Sequence, residues 1–262
     1  MNDPKAFLRI PRIEPRRQPP RSRLRHWHEY EALMPGAQSA AQSARCMDCG
    51  VPWCHQYCPV HNQIPDWNAL VSASDWYSAW EQLESTNNFP ELTGRLCPAP
   101  CEHACTLRLS DAPVTIRAIE LAIIERAWSA GWVRPQPPSR PTQAGTHRRI
   151  AVVGSGPAGL ACAQQLARAG HSVTVYEGAE QIGGLLRYGI PDFRLEKWVL
   201  DRRLAQMRAE GVQFRTNMQV GVGLDSEDLL SDVDALVLAC GCSVPRDVDI
   251  PGRGLRGIHF AL

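Results

Sequence analysis

The sequence lacks the features of a membrane-spanning or exported protein. Its 262 residues contain no apolar run of 18 residues, so we predict no transmembrane helix. The first twelve residues are polar and lack the apolar segment of a secretory signal, so we expect no export. Neither sign of charge dominates, because 28 basic side chains stand against 27 acidic ones. With 44% apolar residues and no internal repeat, the chain is expected to be globular, with one or two domains.

Cysteine is the informative residue type, with ten in the chain. Without an export signal, that number favours metal or redox chemistry over disulfides. Seven of the ten fall into two short stretches, Cys46-x2-Cys49-x4-Cys54-x3-Cys58-Pro59 and Cys97-Pro98-x2-Cys101-x3-Cys105. Thiolates at such spacings favour iron–sulfur clusters, which take four ligands each. Zinc is the competing interpretation, since four-cysteine zinc sites also contain Cys-x2-Cys, and disulfides are a third.

Two four-ligand clusters need one ligand more than these seven cysteines supply. Glu120 lies at helical spacing from Ile116, Ile123 and Ile124, on or beside an apolar stripe. An uncompensated carboxylate would be costly to bury there, whereas a metal would neutralise it. The alternative is a glutamate at the edge of the stripe that reaches solvent. The other cysteines are interpreted as packing or turn residues: Cys162, Cys240 and Cys242.

Composition divides the chain into four segments. Residues 1–35 form a basic N-terminal arm, and five prolines within residues 1–30 oppose a stable helix. We expect this arm to be extended and solvated, or to dock on an acidic partner; no motif accompanies it that would indicate nucleic acid. Residues 36–131 are helical, with helices predicted over 37–45, over 66–85 with an interruption near Ser74, and over 113–128. Residues 132–148 are a proline-rich linker, and 149–262 have the pattern of an α/β domain.

A dinucleotide-binding pattern opens this last segment. A strand over 150–153 leads into Gly154-Ser155-Gly156-Pro157-Ala158-Gly159, which begins a helix, and a second strand over 172–176 ends at Glu177. The glycines allow a tight turn, close approach to a pyrophosphate and close helix–strand packing. The helix N-terminus offers free N–H groups to the phosphates. Glu177 lies 23 positions after Gly154, near the offset of a carboxylate that binds ribose hydroxyls, which favours FAD or NAD over NADP.

The segment after this acid distinguishes FAD from NAD. Ile182-Gly183-Gly184-Leu185 places two adjacent glycines where the chain would run close to a flat ligand. The pattern is similar to the FAD sites of flavoproteins with two dinucleotide domains, and it favours FAD. For the earlier turn at Gly154–Gly159, a glycine turn with a structural role only is the alternative.

Three longer motifs resemble one enzyme family. They span residues 87–91 (NNFPE), 94–102 (GRLCPAPCE) and 183–193 (GGLLRYGIPDF). Together they are similar to the small (beta) subunits of bacterial NADPH-dependent glutamate synthases, and the resemblance runs from Phe7 to Leu262. The N-terminal region of dihydropyrimidine dehydrogenase and ferredoxin–NADP oxidoreductase subunits share this plan. The resemblance implies an α-helical ferredoxin-like iron–sulfur domain followed by an α/β Rossmann-type FAD-binding domain.

The resemblance also implies cofactors, ligands and partners. Two [4Fe–4S] clusters would be held by two sets of residues: Cys46, Cys49, Cys54 and Cys105 for one, and Cys58, Cys97, Cys101 and Glu120 for the other. Arg194 and Val220 match flavin-contacting positions. Electrons from NADPH would pass through FAD and the clusters to a large (alpha) subunit, which makes glutamate from glutamine and 2-oxoglutarate. The protein is expected in the cytoplasm, without nucleic-acid or membrane partners, and no residue resembles a catalyst of the amide chemistry.

One departure from the family is large. In the family, an NADPH-binding domain interrupts the FAD domain, and a C-terminal segment completes it. The sequence ends at Leu262 and contains no second glycine fingerprint. We therefore expect an incomplete FAD domain, in a fragment or a truncated product, that does not oxidise NADPH alone. The alternatives are a reductase module of a dihydropyrimidine dehydrogenase or ferredoxin–NADP oxidoreductase complex, and an inactive iron–sulfur binding fragment.

Overall fold

The computed structural model describes residues 5–137, 147–242 and 244–260. The chain forms two compact units. The first comprises Met1–Arg134 and Asp192–Val199, and the second comprises Pro135–Pro191 and Leu200–Leu262. Most of the predicted linker, residues 138–146, lies outside the described residues. Among those described, no helix has the length and apolar character needed to cross a bilayer.

The first unit is helical. Its helices are α1 (Pro20–Arg23), α2 (Gly36–Ser43), α3 (Trp53–Gln56), α4 (Ile64–Ser72), α5 (Trp76–Glu84), α6 (Pro90–Leu96), α7 (Pro100–His103) and α8 (Ile116–Ser129), with single 3-10 turns at Ala6–Leu8 and Thr106–Leu109. The predicted interruption near Ser74 is confirmed, since this residue has a φ of 62° and separates α4 from α5. Asp75 then caps α5 by accepting a hydrogen bond of 3.2 Å from the backbone N–H of Ser78.

Helix α8 begins later than its sequence pattern predicts. Pro113 does not lie in its first turn, because the helix starts at Ile116 with Thr115 as its N-cap. The guanidinium of Arg12 donates hydrogen bonds to the carbonyls of Pro113 and Val114, at 2.8 and 3.2 Å. A side chain distant in sequence therefore holds these residues outside the helix, which a local pattern does not reveal.

The N-terminal arm is exposed along much of its described length but is anchored to the helices around Ile10–Ile13, so it is not solvated throughout as expected. Arg12 pairs with Glu102 at 2.6 Å, and both side chains are largely buried. The fully buried Arg45 donates to the carbonyl of Ile10 and to Asp111. The backbone N–H of Ile13 donates to Gln42 at 3.0 Å. Within the arm, the charge of Arg12 is thus balanced by a carboxylate of the helical unit.

Helix α8 lies at the centre of the first core. Ile116, Ile119 and Ile123 are at most 1% exposed and pack with apolar residues of α4 and α5. Helices α6 and α8 approach closely at Gly94, where a Cβ atom would lie 2.9 Å from the Cβ of Leu121. The same packing brings the loop after α6 close to the side chains of α8.

A truncation on this helix should destabilise the first unit strongly. Ile123 is completely buried, and Ile123→Ala is expected to cost about 2–5 kcal/mol of unfolding free energy, through lost burial and a residual cavity. Leu109→Ala is the matched control, because Leu109 is 88% exposed and its loss should change stability by less than about 0.5 kcal/mol. Denaturant unfolding, followed by tryptophan fluorescence, measures both. Equal effects would contradict this account of the core.

The second unit contains a four-stranded parallel sheet in the order β3-β2-β1-β4. The strands are β1 (Arg149–Val153), β2 (Ser172–Tyr176), β3 (Gln213–Arg215) and β4 (Ala235–Leu238). The remaining helices are α9 (Pro157–Arg168), α10 (Leu185–Tyr188), α11 (Lys197–Ala209), which starts in the Asp192–Val199 segment, and α12 (Ser226–Asp232). The predicted β1-α9-β2 unit is confirmed, and its parallel register places the turn after β1 at the carboxyl edge of the sheet.

Candidate iron–sulfur and dinucleotide sites

The seven clustered cysteines lie at the short helices α3 and α7 and in the adjoining loops. All seven are free thiols in the structure, and they are buried or half-buried: Cys46, Cys49, Cys54, Cys58, Cys97, Cys101 and Cys105. Helix α3 packs against α7, which brings together two stretches that are distant in sequence. The fold thus collects the cysteines in one part of the first unit.

Four of these cysteines form a first group. Burial raises the pKa of Cys46 to about 11, with further contributions from Cys105 and Cys49. Burial also raises the pKa of Cys54 to about 12, with contributions from Cys46, Cys105 and Cys49. Because such contributions arise only between close groups, these four thiols are neighbours. We call them the first ligand group.

The other three cysteines gather around Glu120. Burial raises the pKa of Cys101, and the next contributions come from Glu120, Glu102, Cys58 and Cys97. The pKa of Cys97 is also raised by burial, with smaller contributions from Glu120 and Cys58. Cys58, Cys97, Cys101 and Glu120 are therefore neighbours, and we call them the second ligand group.

Glu120 is a buried carboxylate and does not reach solvent. Its side chain lies on α8, and the residue is 6% exposed. Oε1 accepts hydrogen bonds from the hydroxyl of Thr93 and, at 3.3 Å, from the amide of Asn87. Burial raises the pKa of Glu120 to about 7, although the Thr93 hydrogen bond and the charge of Arg117 oppose this shift. Both bonds fall on one oxygen, which leaves Oε2 for a further ligand.

Sequence reasoning found Glu120 but missed the residues that hold it. Asn87 lies within the first family motif, and Thr93 directly precedes the second. The available signal was the position of Asn87 within one motif and of Thr93 directly beside the other. Their role became visible only when α6 and α8 were seen to pack together.

Both groups have the chemistry of iron–sulfur ligands. Within the described residues, no three His, Cys, Asp or Glu side chains lie close enough to hold a single metal ion. A cluster does not require such an arrangement, because each ligand binds a different iron of the inorganic core. The raised thiol pKa values mean that protons leave these sulfurs when metal binds.

The glycine turn in the second unit contains two glycines that the fold requires and another that faces open space. Gly154 has a φ of 103°, and a Cβ atom there would lie 2.3 Å from the carbonyl oxygen of Ala239. A Cβ on Gly159 would lie 2.1 Å from the carbonyl oxygen of Gly154. A Cβ on Gly156 would meet no atom within 4 Å. The first and third glycines are therefore required by the fold, whereas the second faces space that a ligand can enter.

Ser155 and Glu177 connect this turn to the end of β2. Glu177 Oε2 accepts hydrogen bonds from the backbone N–H of Ser155, at 3.1 Å, and from its hydroxyl. Glu177 Oε1 accepts from the backbone N–H of Ala179 at 2.9 Å. An ionised carboxylate has about four acceptor positions, so Glu177 retains capacity for a ribose hydroxyl.

The second pair of glycines also lies at this turn. Gly184 has a φ of 52°, and its Cβ would lie 3.0 Å from the Cα of Gly156. The backbone N–H of Gly183 donates to the hydroxyl of Ser155 at 2.8 Å. Leu185, which begins α10, is 52% exposed. Pro157 and Ala158 begin α9 and are both exposed, so the helix start is accessible.

The two remaining candidate residues lie elsewhere. Val220 forms an isolated bridge with Leu224 and packs in a small apolar cluster with Tyr176. Arg194 belongs to the segment Asp192–Val199 of the first unit, where it donates to the Tyr30 hydroxyl at 2.7 Å and to the carbonyl of Arg95 at 3.1 Å. The structure thus gives Arg194 protein partners in the first unit.

Comparison with known proteins identifies both units. Residues 23–132 match the family model described as dihydropyrimidine dehydrogenase domain II, 4Fe-4S cluster. Residues 152–206 match the NAD(P)-binding Rossmann-like domain. The chain therefore contains an iron–sulfur domain of this type followed by a Rossmann-type domain, as the resemblance implied.

Curated relatives match over the whole chain. It is 54% identical over 263 residues to the glutamate synthase [NADPH] small chain of Mycobacterium tuberculosis, covering 100% of this chain and 53% of the relative. The chain is thus a relative of the glutamate synthase small chain. The chain is 45% identical to the glutamate synthase [NADPH] small chain of Bacillus subtilis, and the match covers 100% of this chain and 54% of the relative. It is 38% identical to the small chain of Escherichia coli, and that match covers 98% of this chain and 54% of the relative. The chain spans about half the length of these relatives.

Solved structures match the chain only in part. FprA of Mycobacterium tuberculosis in complex with NADPH is 28% identical, with a TM-score of 0.39, and the match covers 43% of this chain and 26% of FprA. The relationship to glutamate synthase small chains therefore depends on the sequence relatives.

Proposed function

We propose that this chain is an electron-transfer part of a glutamate synthase. Electrons from NADPH would pass through FAD and two [4Fe–4S] clusters to a large subunit, which forms glutamate from glutamine and 2-oxoglutarate. The observation that supports the proposal is that seven free, buried or half-buried cysteines and the buried Glu120 lie within one helical unit, in which α3 packs against α7. The choice of glutamate synthesis as the reaction rests on the sequence relatives, which are glutamate synthase small chains.

The first and second ligand groups would each hold one cluster. A bound flavin accepts two electrons as hydride and releases them singly, and clusters accept one at a time. The chain's own residues position the ligands: helices α3 and α7 carry or flank the thiols, and hydrogen bonds from Thr93 and Asn87 orient the carboxylate of Glu120. Burial of Cys58, Cys101 and Glu120 would limit the access of water to the second ligand group.

The glycine turn would hold the pyrophosphate of FAD. Gly156 leaves space for the phosphates, the start of α9 offers N–H groups, and Glu177 is placed to accept a ribose hydroxyl. By resemblance, Leu185, Arg194 and Val220 would be further flavin contacts. A nicotinamide dinucleotide is the second candidate ligand, because the matching family model is described as NAD(P)-binding.

The domain plan is part of the same proposal. The iron–sulfur domain would cover residues 36–131 and the first half of a FAD domain 149–262, joined by the linker at 132–148. The basic arm over 1–35 would belong structurally to the iron–sulfur unit, because Arg12 and Arg45 bind it there.

Electron delivery to a large subunit tests the function. The chain, purified without oxygen and supplied with FAD, would be photoreduced and mixed with the large subunit of a close relative, glutamine and 2-oxoglutarate. We expect glutamate in proportion to the electrons supplied, and none when the chain is omitted. Uracil reduction without glutamate formation would support the dihydropyrimidine dehydrogenase alternative. Reduced clusters that deliver electrons to neither acceptor would leave only the iron–sulfur binding role.

A further inference from the structure

A segment without charged residues carries three of the candidate iron–sulfur ligands. Residues 49–65 contain no Asp, Glu, Lys or Arg, although 21% of the whole chain is charged. Cys49, Cys54 and Cys58 lie within this segment. Because the surface of a soluble domain is usually rich in charged side chains, a stretch without any is unusual if its residues face only water.

Large apolar side chains of this segment are exposed rather than packed. Val51, Trp53 and Tyr57 are each at least 50% exposed, and Val60 is 44% exposed. Trp53 begins α3 and Tyr57 directly follows its end, and their rings meet edge-to-face with centroids 6.3 Å apart. We call these four residues the apolar surface. Single exposed apolar residues are ordinary, but a concentration of them marks an interaction site.

Hydrogen bonds hold the segment in this form without any partner. His55 Nδ1 donates to the carbonyl of Asn62 at 3.1 Å, which ties α3 to the turn that follows it. Within that turn, the backbone N–H of His61 donates to the carbonyl of Cys58 at 2.9 Å. Ile64, at the start of α4, is 1% exposed and anchors the end of the segment in the core. A surface that is already formed binds a partner at a low cost in ordering.

The apolar surface alternates with candidate ligands along the chain. Trp53 directly precedes Cys54, and Tyr57 directly precedes Cys58. All four thiols of the first ligand group are half-buried, whereas three of the four members of the second group are buried. The first group is therefore the more accessible one, and two of its members, Cys49 and Cys54, flank Val51 and Trp53. A protein that takes an electron from the first cluster would approach over these side chains.

We propose that the apolar surface is the place where the electron-accepting protein docks, and that this partner presents an uncharged, apolar face to it. The inference rests on the proposed function, under which the partner is the large subunit. Aromatic enrichment and loss of charge are the features of a protein interface core, and residues 49–65 have both. One electron would leave the first cluster, which is oxidised, and reduce a centre of the partner; no bond forms or breaks.

Substitution of the two aromatic residues tests the docking surface. Trp53→Ser and Tyr57→Ser, in the full chain with its clusters, should each weaken binding of the large subunit of a close relative by about tenfold or more, because buried aromatic anchors dominate interface energies. Trp27→Ser is the matched control: Trp27 is 76% exposed but lies on the N-terminal arm, so affinity should not change. Isothermal titration measures all three. Unchanged affinity in Trp53→Ser, or equal losses in Trp53→Ser and Trp27→Ser, would overturn the proposal.

Salt and added charge test the chemistry of the partner. Salt screens attraction between charges but not apolar contact, so the dissociation constant should change by less than about threefold between low and high salt. Val60→Lys should weaken binding, because its ammonium group would lose water in the interface. A steep fall in affinity with salt, together with full affinity in Val60→Lys, would place the partner on a charged surface and contradict the proposal.

A measurement on the unsubstituted chain covers variants that fail to assemble their clusters. Hydrogen–deuterium exchange should show protection of residues 51–60 when the large subunit is bound, and protection confined to other segments would overturn the proposal. Self-association of the chain that Trp53→Ser abolishes would assign the surface to a second copy instead. Failure of the proposed function is distinguishable, because the unsubstituted chain and every variant would then fail to bind the large subunit.

Discussion

Cys54→Ser and Cys101→Ser should each remove about half of the bound iron, but from different clusters. Each substitution takes one thiolate from a four-ligand set, and each cluster holds about four irons. Cys54 has Cys46, Cys49 and Cys105 as neighbours, whereas Cys101 has Glu120, Cys58 and Cys97. The two variants should therefore lose different EPR signals from the dithionite-reduced protein, and the double variant should lose both.

The control is a cysteine outside both groups. Cys162 lies on α9 of the second unit and is half-buried, so Cys162→Ser should keep the full iron content and both EPR signals. Iron, acid-labile sulfide and zinc would be determined on the same anaerobic samples. Loss of all iron in either single variant would show that the two groups hold one shared centre. Zinc in place of iron and sulfide would overturn the redox function.

The cysteine spacing predicts the chemistry of these groups but not their membership. From spacing alone, the seven thiols can be divided in several ways, and only the resemblance to a family assigned Cys105 to the first group. In the structure, Cys105 neighbours Cys46 and Cys54 because the short helices α3 and α7 pack together. Such pairing is a tertiary property, because residues separated by about 50 positions are joined by packing rather than by a local pattern.

Long-range contacts also explain why the start of α8 and the packing of the N-terminal arm were predicted wrongly from the sequence. Arg12 keeps Pro113 and Val114 out of α8, and the buried Arg45 fixes the N-terminal segment by its bond to Ile10. The charge count interpreted Arg12 as part of a solvated arm, since most runs of charged residues are solvated. Strand β3 was missed because it has three residues, of which only Phe214 is partly buried. The Rossmann turn was predictable because its glycines and Glu177 act within one local β-α-β unit.

Gly156→Ala should weaken dinucleotide binding while leaving the fold intact. Gly156 has a φ of −66° and a ψ of 176°, which alanine adopts readily, and its Cβ would meet no protein atom within 4 Å. A methyl group there would occupy the space through which the pyrophosphate approaches. We expect about tenfold or greater loss of FAD affinity, roughly 1.4 kcal/mol, with a midpoint of thermal unfolding equal to or slightly above that of the unsubstituted chain.

Gly154→Ala is the matched contrast within the same turn. Its positive φ costs roughly 1–3 kcal/mol for a non-glycine residue, and its Cβ would collide with the carbonyl of Ala239. This variant should therefore lose stability first and FAD affinity as a consequence. Isothermal titration with FAD, alongside thermal unfolding of the FAD-free chain, separates the two effects. Unchanged affinity in Gly156→Ala would show that the pyrophosphate does not pass this glycine, and would remove the structural basis for a dinucleotide at the turn.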